Sequence, residues 1–157
     1  MANSITLGTQ LRRLLELLDG DVEAAYRRAG LKFRPRYTPI FRALIREGAL
    51  SIKDVAGLAC VTHSAASQTI AQMIREDLVQ TELGSDRRER LVALTPRALA
   101  MAPDLERCWA ATARAAASLD EDLSFELEPV LRAAVAALTA KPFLDRMAGP
   151  ADTDSED

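Results

Sequence analysis

The residues best suited to chemistry in this sequence form one face of a helical segment that begins at Thr62. On a wheel of 100° per residue, that face carries short hydroxyl, amide and methyl side chains, with a guanidinium at its far end. No acidic side chain interrupts it. Short hydroxyl and amide groups can reach the base edges in a DNA major groove, and a methyl allows close approach. The members of the face are Ser64, Ser67, Gln68, Ala71 and Arg75.

The start of the same segment offers a second kind of contact. Thr62 can cap the helix, and the N–H groups of a first helical turn attract phosphate. His63, the single histidine, lies on the flank of this start. It contacts a base or a phosphate in one interpretation and only solvent in the other. A polar face that is merely solvated is the general alternative to DNA binding.

Three arginines follow this helix, at and just beyond a turn in residues 84–86. An arginine at the tip of a hairpin can enter a DNA minor groove, where negative potential is concentrated. The alternative is a solvated turn in which Asp86 neutralises one arginine. Their position directly after the polar helix favours the DNA interpretation. The three are Arg87, Arg88 and Arg90.

Caps and breakers predict three short helices in front of this turn. Each begins at a residue whose side-chain oxygen can serve as a cap, and a three-residue connection precedes the third. Three short helices spaced in this way are typical of a helix-turn-helix, and the β-prone run in residues 90–94 makes the turn part of a wing. The caps are Thr38, Ser51 and Thr62; the first helix ends at Gly48 and the third at about Asp77.

Apolar spacing assigns an inward face to two of these helices. In the third helix the inward residues lie opposite the polar face, so one side can pack while the other stays free. The inward set of the first helix is Ile40, Phe41, Leu44 and Ile45; that of the third is Ala66, Ile70 and Met73, with Ile74 at its edge.

Helical segments also precede this region. A leucine stripe from Leu7 to Leu18 predicts a helix that ends at the turn signal in residues 19–21. A shorter helix is expected over residues 21–29. The stretch 31–37 is predicted to be a basic loop, in contact with phosphate or near a ligand pocket.

After the wing, a helix is expected from Pro96 to about Ser118, kinked or restarted at Pro103, and a last helix over residues 125–139. Both have alanine-rich sides. These sides either let helices of two subunits approach closely or simply reflect helix propensity.

Composition and charge limit the fold and the partners. The 157 residues include 28 alanines and 22 leucines, which favours one mostly α-helical domain and excludes an all-β fold. The net charge of −3 argues against a nucleic-acid partner, but its distribution does not. Residues 1–30 are neutral, residues 31–97 carry +4 and residues 98–157 carry −7. The basic part therefore coincides with the polar helix and the arginine turn.

Other function classes find little support. Cys60 and Cys108 are too few for a disulfide framework and are expected to be small buried apolar residues. Cys60 and His63 lack further ligands for a metal, and no cofactor is expected. There is no pairing of nucleophile and base, so the protein is not expected to be an enzyme. No apolar run is long enough to span a membrane and no signal peptide is evident, which favours the cytoplasm.

One signature resembles a known family. Asp86-x-Arg88, then five residues and Leu94-Thr95, matches the D-x-R-x5-L-T pattern of MarR-family winged-helix regulators. Residues 51–56, 61–68 and 77–79 are also similar, so the resemblance covers about residues 38–96. The connection before the third helix departs from the family, because Cys60 stands in a turn where a glycine is common.

The resemblance implies a homodimer that straddles double-stranded operator DNA. Residues 1–30 and 98–147 would supply dimerisation helices around a winged helix-turn-helix in 31–97. Apart from the resemblance, residues 148–157 have four acidic and no bulky apolar side chains, which predicts a disordered acidic tail. The resemblance also implies a repressor relieved by a small aromatic or anionic effector. A winged helix used only for protein contacts is the alternative, but the polar face lacks acidic or bulky apolar residues. The matching DNA-binding positions are Thr62, His63, Ser64, Ser67 and Gln68 in the major groove, Arg88 in the minor groove with Asp86 orienting it, and Arg87 and Arg90 on phosphates.

The wing assignment makes a direct prediction. Arg88→Ala should weaken operator binding without unfolding the dimer, because it removes only the group that enters the minor groove. Binding titrations at physiological salt, with circular dichroism as the control for folding, measure this. Unchanged affinity would contradict the wing assignment.

Overall fold

The computed structural model describes residues 6–84 and 90–147. The chain divides into two units, the first ending at Ala111 and the second beginning at Thr112. Within the described residues, no helix is long and apolar enough to cross a membrane. In chain order the elements are α1 (Leu7–Arg28), a 3-10 turn (Pro35–Tyr37), α2 (Thr38–Glu47), β1 (Leu50–Ser51), α3 (Ile52–Leu58), α4 (His63–Arg75), β2 (Val79–Leu83), β3 (Arg90–Leu94), α5 (Pro96–Leu123), α6 (Leu127–Ala140) and α7 (Phe143–Met147).

Two of the three predicted caps are confirmed. The Ser51 hydroxyl accepts a hydrogen bond from the Asp54 N–H at 3.1 Å and donates to its carboxylate at 2.7 Å. Thr62 caps α4 by accepting from the Ala65 N–H at 3.1 Å. The prediction for Thr38 is wrong, because α2 continues directly from the 3-10 turn and needs no cap there. The Thr38 hydroxyl instead lies 3.2 Å from the hydroxyl of Tyr26.

The predicted hairpin is present within a three-stranded antiparallel sheet of order β1-β3-β2. Val79 pairs with Leu94 at its base, and Leu83 pairs with Arg90 toward its tip. Strand β1 was not predicted, since it is only two residues long and exists through its pairing with β3. The mostly α-helical fold with a small β-hairpin is thus confirmed.

Aromatic rings fill the centre of the first unit. Phe33 meets Tyr26, Tyr37 and Phe41 edge to face, with centroid distances of 5.3, 5.6 and 5.4 Å. Trp109 packs on Phe41 at 6.0 Å, and its indole N–H donates to the Tyr26 hydroxyl at 3.0 Å. Since Phe33 belongs to the predicted basic loop, that loop is anchored in the core through its apolar residues, and part of it forms the 3-10 turn.

Two helices run through predicted interruptions. Helix α1 continues through residues 19–21, so the predicted break and second helix are wrong. A glycine inside a helix costs about 1 kcal/mol, less than exposing the backbone groups of two new helix ends. Helix α5 runs unbroken through Pro103 to Leu123, so the predicted restart at the proline is wrong. Ala98 and Leu105, on either side of Pro103, are both fully buried, and this packing holds the helix together there.

The two cysteines differ in their surroundings. Cys60 is exposed, so the prediction that it is buried is wrong, whereas Cys108 is half-buried against the core. Cys60 has φ +54° and ends α3 in a Schellman motif, in which its N–H bonds Gly57 O and the Val61 N–H bonds Ala56 O. This position favours glycine, because the left-handed backbone conformation brings a Cβ too close to the following carbonyl oxygen. The connection therefore has the left-handed conformation that usually requires glycine, although Cys60 occupies the position.

The second unit contains the end of α5, together with α6 and α7. The Asp120 carboxylate accepts from the Leu127 N–H at 2.9 Å and so caps the start of α6. Arg146 donates to Ala137 O at 2.8 Å, which holds the short α7, an element the sequence did not predict, at the end of α6. None of the residues described in α6 and α7 is buried.

The aromatic cluster predicts the cost of losing its central ring. Phe33→Ala should lower the free energy of unfolding by about 3–5 kcal/mol, because it leaves a cavity among three rings. Urea denaturation followed by circular dichroism measures the change. Leu83→Ala is the control, since Leu83 is 72% exposed and should change the unfolding free energy little. Equal effects of the two substitutions would contradict the central role of Phe33.

Candidate nucleic-acid interface

Helix α4 has one packed side and one free side, as the sequence predicts. Ala66, Ile70 and Met73 are fully buried. Ile74 is more exposed than an inward position requires, in keeping with its place at the edge. On the opposite side, all but one of the predicted residues are exposed, and Ser67 is half-buried; the exposed ones are Ser64, Gln68, Ala71 and Arg75.

The start of α4 brings polar groups to the same surface. His63 is the first residue of the helix and its side chain is exposed. The Thr62 hydroxyl takes one N–H of the first turn, that of Ala65. The N–H groups of His63 and Ser64 belong to the same turn, which offers them no intrahelical acceptor. The geometry therefore suits an anion at this end of the helix.

The described residues of the wing are those at its base. Arg90 is exposed and is the first residue of β3, opposite Leu83. The other predicted wing residues, Asp86, Arg87 and Arg88, lie outside the described residues. Arg90 is thus the one arginine of this group whose position on the strand is known.

A polar junction fastens the end of the wing to the end of α4. The Thr95 hydroxyl donates to Asp77 O at 2.8 Å and accepts from the Ala98 N–H at 3.1 Å. The Thr95 N–H donates to Leu78 O at 3.1 Å. Arg97 reaches the same turn, donating to Glu76 O at 2.7 Å. Thr95 is the last residue of the D-x-R-x5-L-T signature, and these bonds give it a structural role: it fixes the base of the wing relative to α4.

A cleft that the sequence does not predict lies beside the polar face. It has a volume of about 290 Å³ and brings Arg36, from the 3-10 turn, next to the C-terminal half of α4. The basic residues of the turn were visible in the sequence, but their neighbour on α4 was not. The cleft is lined by Arg36, Ala65, Gln68, Thr69, Gln72 and Arg75.

The carboxylate of Glu76, the residue that follows α4, lies beside the basic turn. Burial raises its pKa, but a hydrogen bond from the Gln72 amide, the neighbouring Tyr37 hydroxyl and the nearby charges of Arg34 and Lys32 together bring the pKa below its ordinary value. The Gln72 bond is 2.7 Å long and the Arg34 guanidinium lies 3.5 Å away. The carboxylate thus serves to tie the turn to α4.

Comparisons with known proteins identify the fold. No family model matches the sequence, and a search of curated proteins finds no match. A MarR family transcriptional regulator from Silicibacter pomeroyi has 24% identity and a TM-score of 0.62, over 86% of this chain and 96% of that one.

Two further solved structures are similar. The regulator MosR from M. tuberculosis, in complex with DNA, has 20% identity and a TM-score of 0.63, covering 85% of this chain and 92% of its own. PcaV from Streptomyces coelicolor, in complex with its natural ligand, has 21% identity and a TM-score of 0.64, covering 87% and 98%. This chain therefore has the winged-helix fold of the MarR family transcriptional regulators.

Proposed function

We propose that this protein is a MarR-family regulator that binds double-stranded DNA in a sequence-specific way. The observation that carries the proposal is the free side of α4, which is polar, without acidic residues and exposed except at the half-buried Ser67. The opposite side of the helix is fully buried. An α-helix of this kind fits the major groove. The similarity to MosR, solved with DNA, supports the same reading of the fold.

The polar face divides into base-reading and phosphate-binding parts. Gln68 has the amide that can bond an adenine edge at two points, and Ser64 and Ser67 can bond several bases. Thr62 and His63 lie at the helix start, where backbone N–H groups favour a phosphate. The methyl side chain of Ala71 is small, so it does not hold the helix backbone away from the groove.

The wing contributes the contacts outside the major groove. Arg88 enters the minor groove, oriented by Asp86, and Arg87 and Arg90 bind phosphates. The exposure of Arg90 at the start of β3 supports its role. The junction at Thr95 supports a fixed distance between wing and α4, which two neighbouring grooves require.

Exposed apolar residues support a homodimer through residues 1–30 and 98–147. Contiguous apolar surface beyond that of an ordinary monomer marks an interaction site. Leucines on α1 and apolar side chains on α6 and α7 are exposed in their respective units; they are Leu7, Leu11, Leu15, Leu18, Val130, Leu131, Val135, Leu138, Leu144 and Met147. The acidic segment proposed as a disordered tail, residues 148–157, lies outside the described residues.

The regulatory part of the proposal is a repressor that a small aromatic or anionic ligand releases from DNA. PcaV, which shares the fold, is solved with its natural ligand, and this supports an effector here. Footprinting on the DNA that flanks the gene of this protein, repeated with candidate aromatic acids, tests both repression site and release. A footprint that no candidate alters would count against release by this ligand class.

Gln68 provides the test of base reading. Gln68→Ala should lose about 1–3 kcal/mol of discrimination between a selected site and random duplex, because one two-point base contact disappears. The site is selected from a random DNA pool with the purified protein, and both affinities are measured by fluorescence anisotropy. Gln10→Ala, which changes an exposed glutamine on α1, is the matched control. An equal loss on both DNAs would show that Gln68 contacts only the backbone.

The dimer interface has its own test. Leu15→Glu on α1 and Val135→Glu on α6 should each weaken dimerisation by about 2 kcal/mol or more, because they place a charge on an apolar face that becomes buried. Analytical ultracentrifugation measures the dissociation constant. Leu83→Glu, on the equally exposed side of β2, should leave it unchanged. A monomeric wild-type protein would contradict the proposal.

A further inference from the structure

The cleft between the 3-10 turn and α4 places two guanidinium groups on one small surface. Arg36 approaches from the turn and Arg75 from the last turn of the helix. Between them lie the amides of Gln68 and Gln72 and the hydroxyl of Thr69. Guanidinium groups and neutral hydrogen-bonding side chains, with no carboxylate among the lining residues, form a surface suited to an oxyanion.

Core packing holds Arg36 at this place. Phe33 and Tyr37, on either side of the arginine in sequence, are buried in the aromatic cluster, so the short stretch between them has little freedom. The Arg36 guanidinium lies 5.6 Å from the centre of the Tyr37 ring. Arg34, in the same stretch, reaches Glu76 at 3.5 Å. The turn is therefore held by its aromatic residues in the core and by Arg34 at the end of α4, so the backbone that carries Arg36 loses little entropy when a ligand binds.

The charges around the cleft do not cancel. Lys32, Arg34, Arg36 and Arg75 contribute four positive charges, and Glu76 contributes one negative charge. Glu76 accepts from Gln72, whose oxygen accepts from Arg75. A guanidinium has five N–H donors, so this one bond leaves Arg75 able to bind a ligand as well. The excess positive charge therefore remains at the mouth of the cleft.

We infer that this cleft binds a phosphate group through Arg36 and Arg75. The source of the phosphate rests on the proposed DNA-binding function. A helix that lies in a major groove has a phosphate strand along each flank, and Gln68 belongs both to the base-reading face and to the cleft wall. A backbone phosphate of the operator strand beside α4 thus occupies the cleft. The basic 3-10 turn becomes a phosphate contact in addition to the helix start and the wing.

The test compares R36Q and R75Q with R46Q. Arg46 is a matched control because it is an exposed arginine on α2, bonded to its neighbour Glu47 and not part of the cleft. Binding to a random-sequence duplex is measured by fluorescence anisotropy over a range of salt concentrations. Loss of one phosphate contact should make the negative slope of log K against log salt shallower by about 0.9 per protomer, and binding at low salt should weaken several-fold. R46Q should retain the wild-type slope.

A second arm separates DNA from a free phosphorylated molecule. Inorganic phosphate and a 5′-mononucleotide are titrated into wild type, R36Q and R75Q, and the melting temperature is followed. If phosphate raises the melting temperature of wild type alone while the DNA slopes agree, the cleft binds a free phosphate and its assignment to the DNA backbone is overturned. If R36Q and R75Q match wild type in both arms, the phosphate site itself is overturned. A wild-type protein that binds no duplex at any salt refutes the proposed function instead, and the phosphate arm then decides the cleft alone.

Discussion

Burial of one side of α4 is the constraint on which the rest of the structure depends. Ala66, Ile70 and Met73 are inaccessible to water, so the rotation of the helix about its own axis is fixed by packing. The polar side then faces outward without having to be stabilised by contacts of its own. Short side chains such as Ser64 and Ala71 on that side do not destabilise the fold, because the buried side of α4 supplies the packing that holds the helix in place.

The turn at the end of α4 fixes the position of the wing relative to the helix. Asp77 adopts φ +56° and closes the helix with a Schellman motif, after which Leu78 turns into the core. Thr95 binds the same turn from the strand that leaves the wing. One short segment therefore ends the helix, begins the wing and receives its return strand. A change in this turn would move both proposed DNA contacts together.

The charge of the chain follows the same division. The excess of basic residues lies in residues 31–97, which include α2 to β3, whereas the acidic excess lies in residues 98–157. Long-range attraction to a polyanion thus acts on the proposed DNA-binding side. The sequence offered contact with phosphate as one role of the basic stretch, but it did not reveal that Arg36 and Arg75, 39 residues apart, line one cleft, because the packing of Phe33 and Tyr37 brings them there.

Local chemistry, read from the sequence alone, determined the caps at Ser51 and Thr62, the two faces of α4 and the hairpin, since each depends on neighbouring residues. Only the tertiary structure decided the features that depend on distant partners. Strand β1 forms because β3 is beside it, α1 continues past Gly20 because its later turns reach the core, and Cys60 faces solvent because a left-handed turn joins α3 to α4. Packing energy summed over many contacts exceeds the small local preferences, about 1 kcal/mol each, from which a sequence is interpreted.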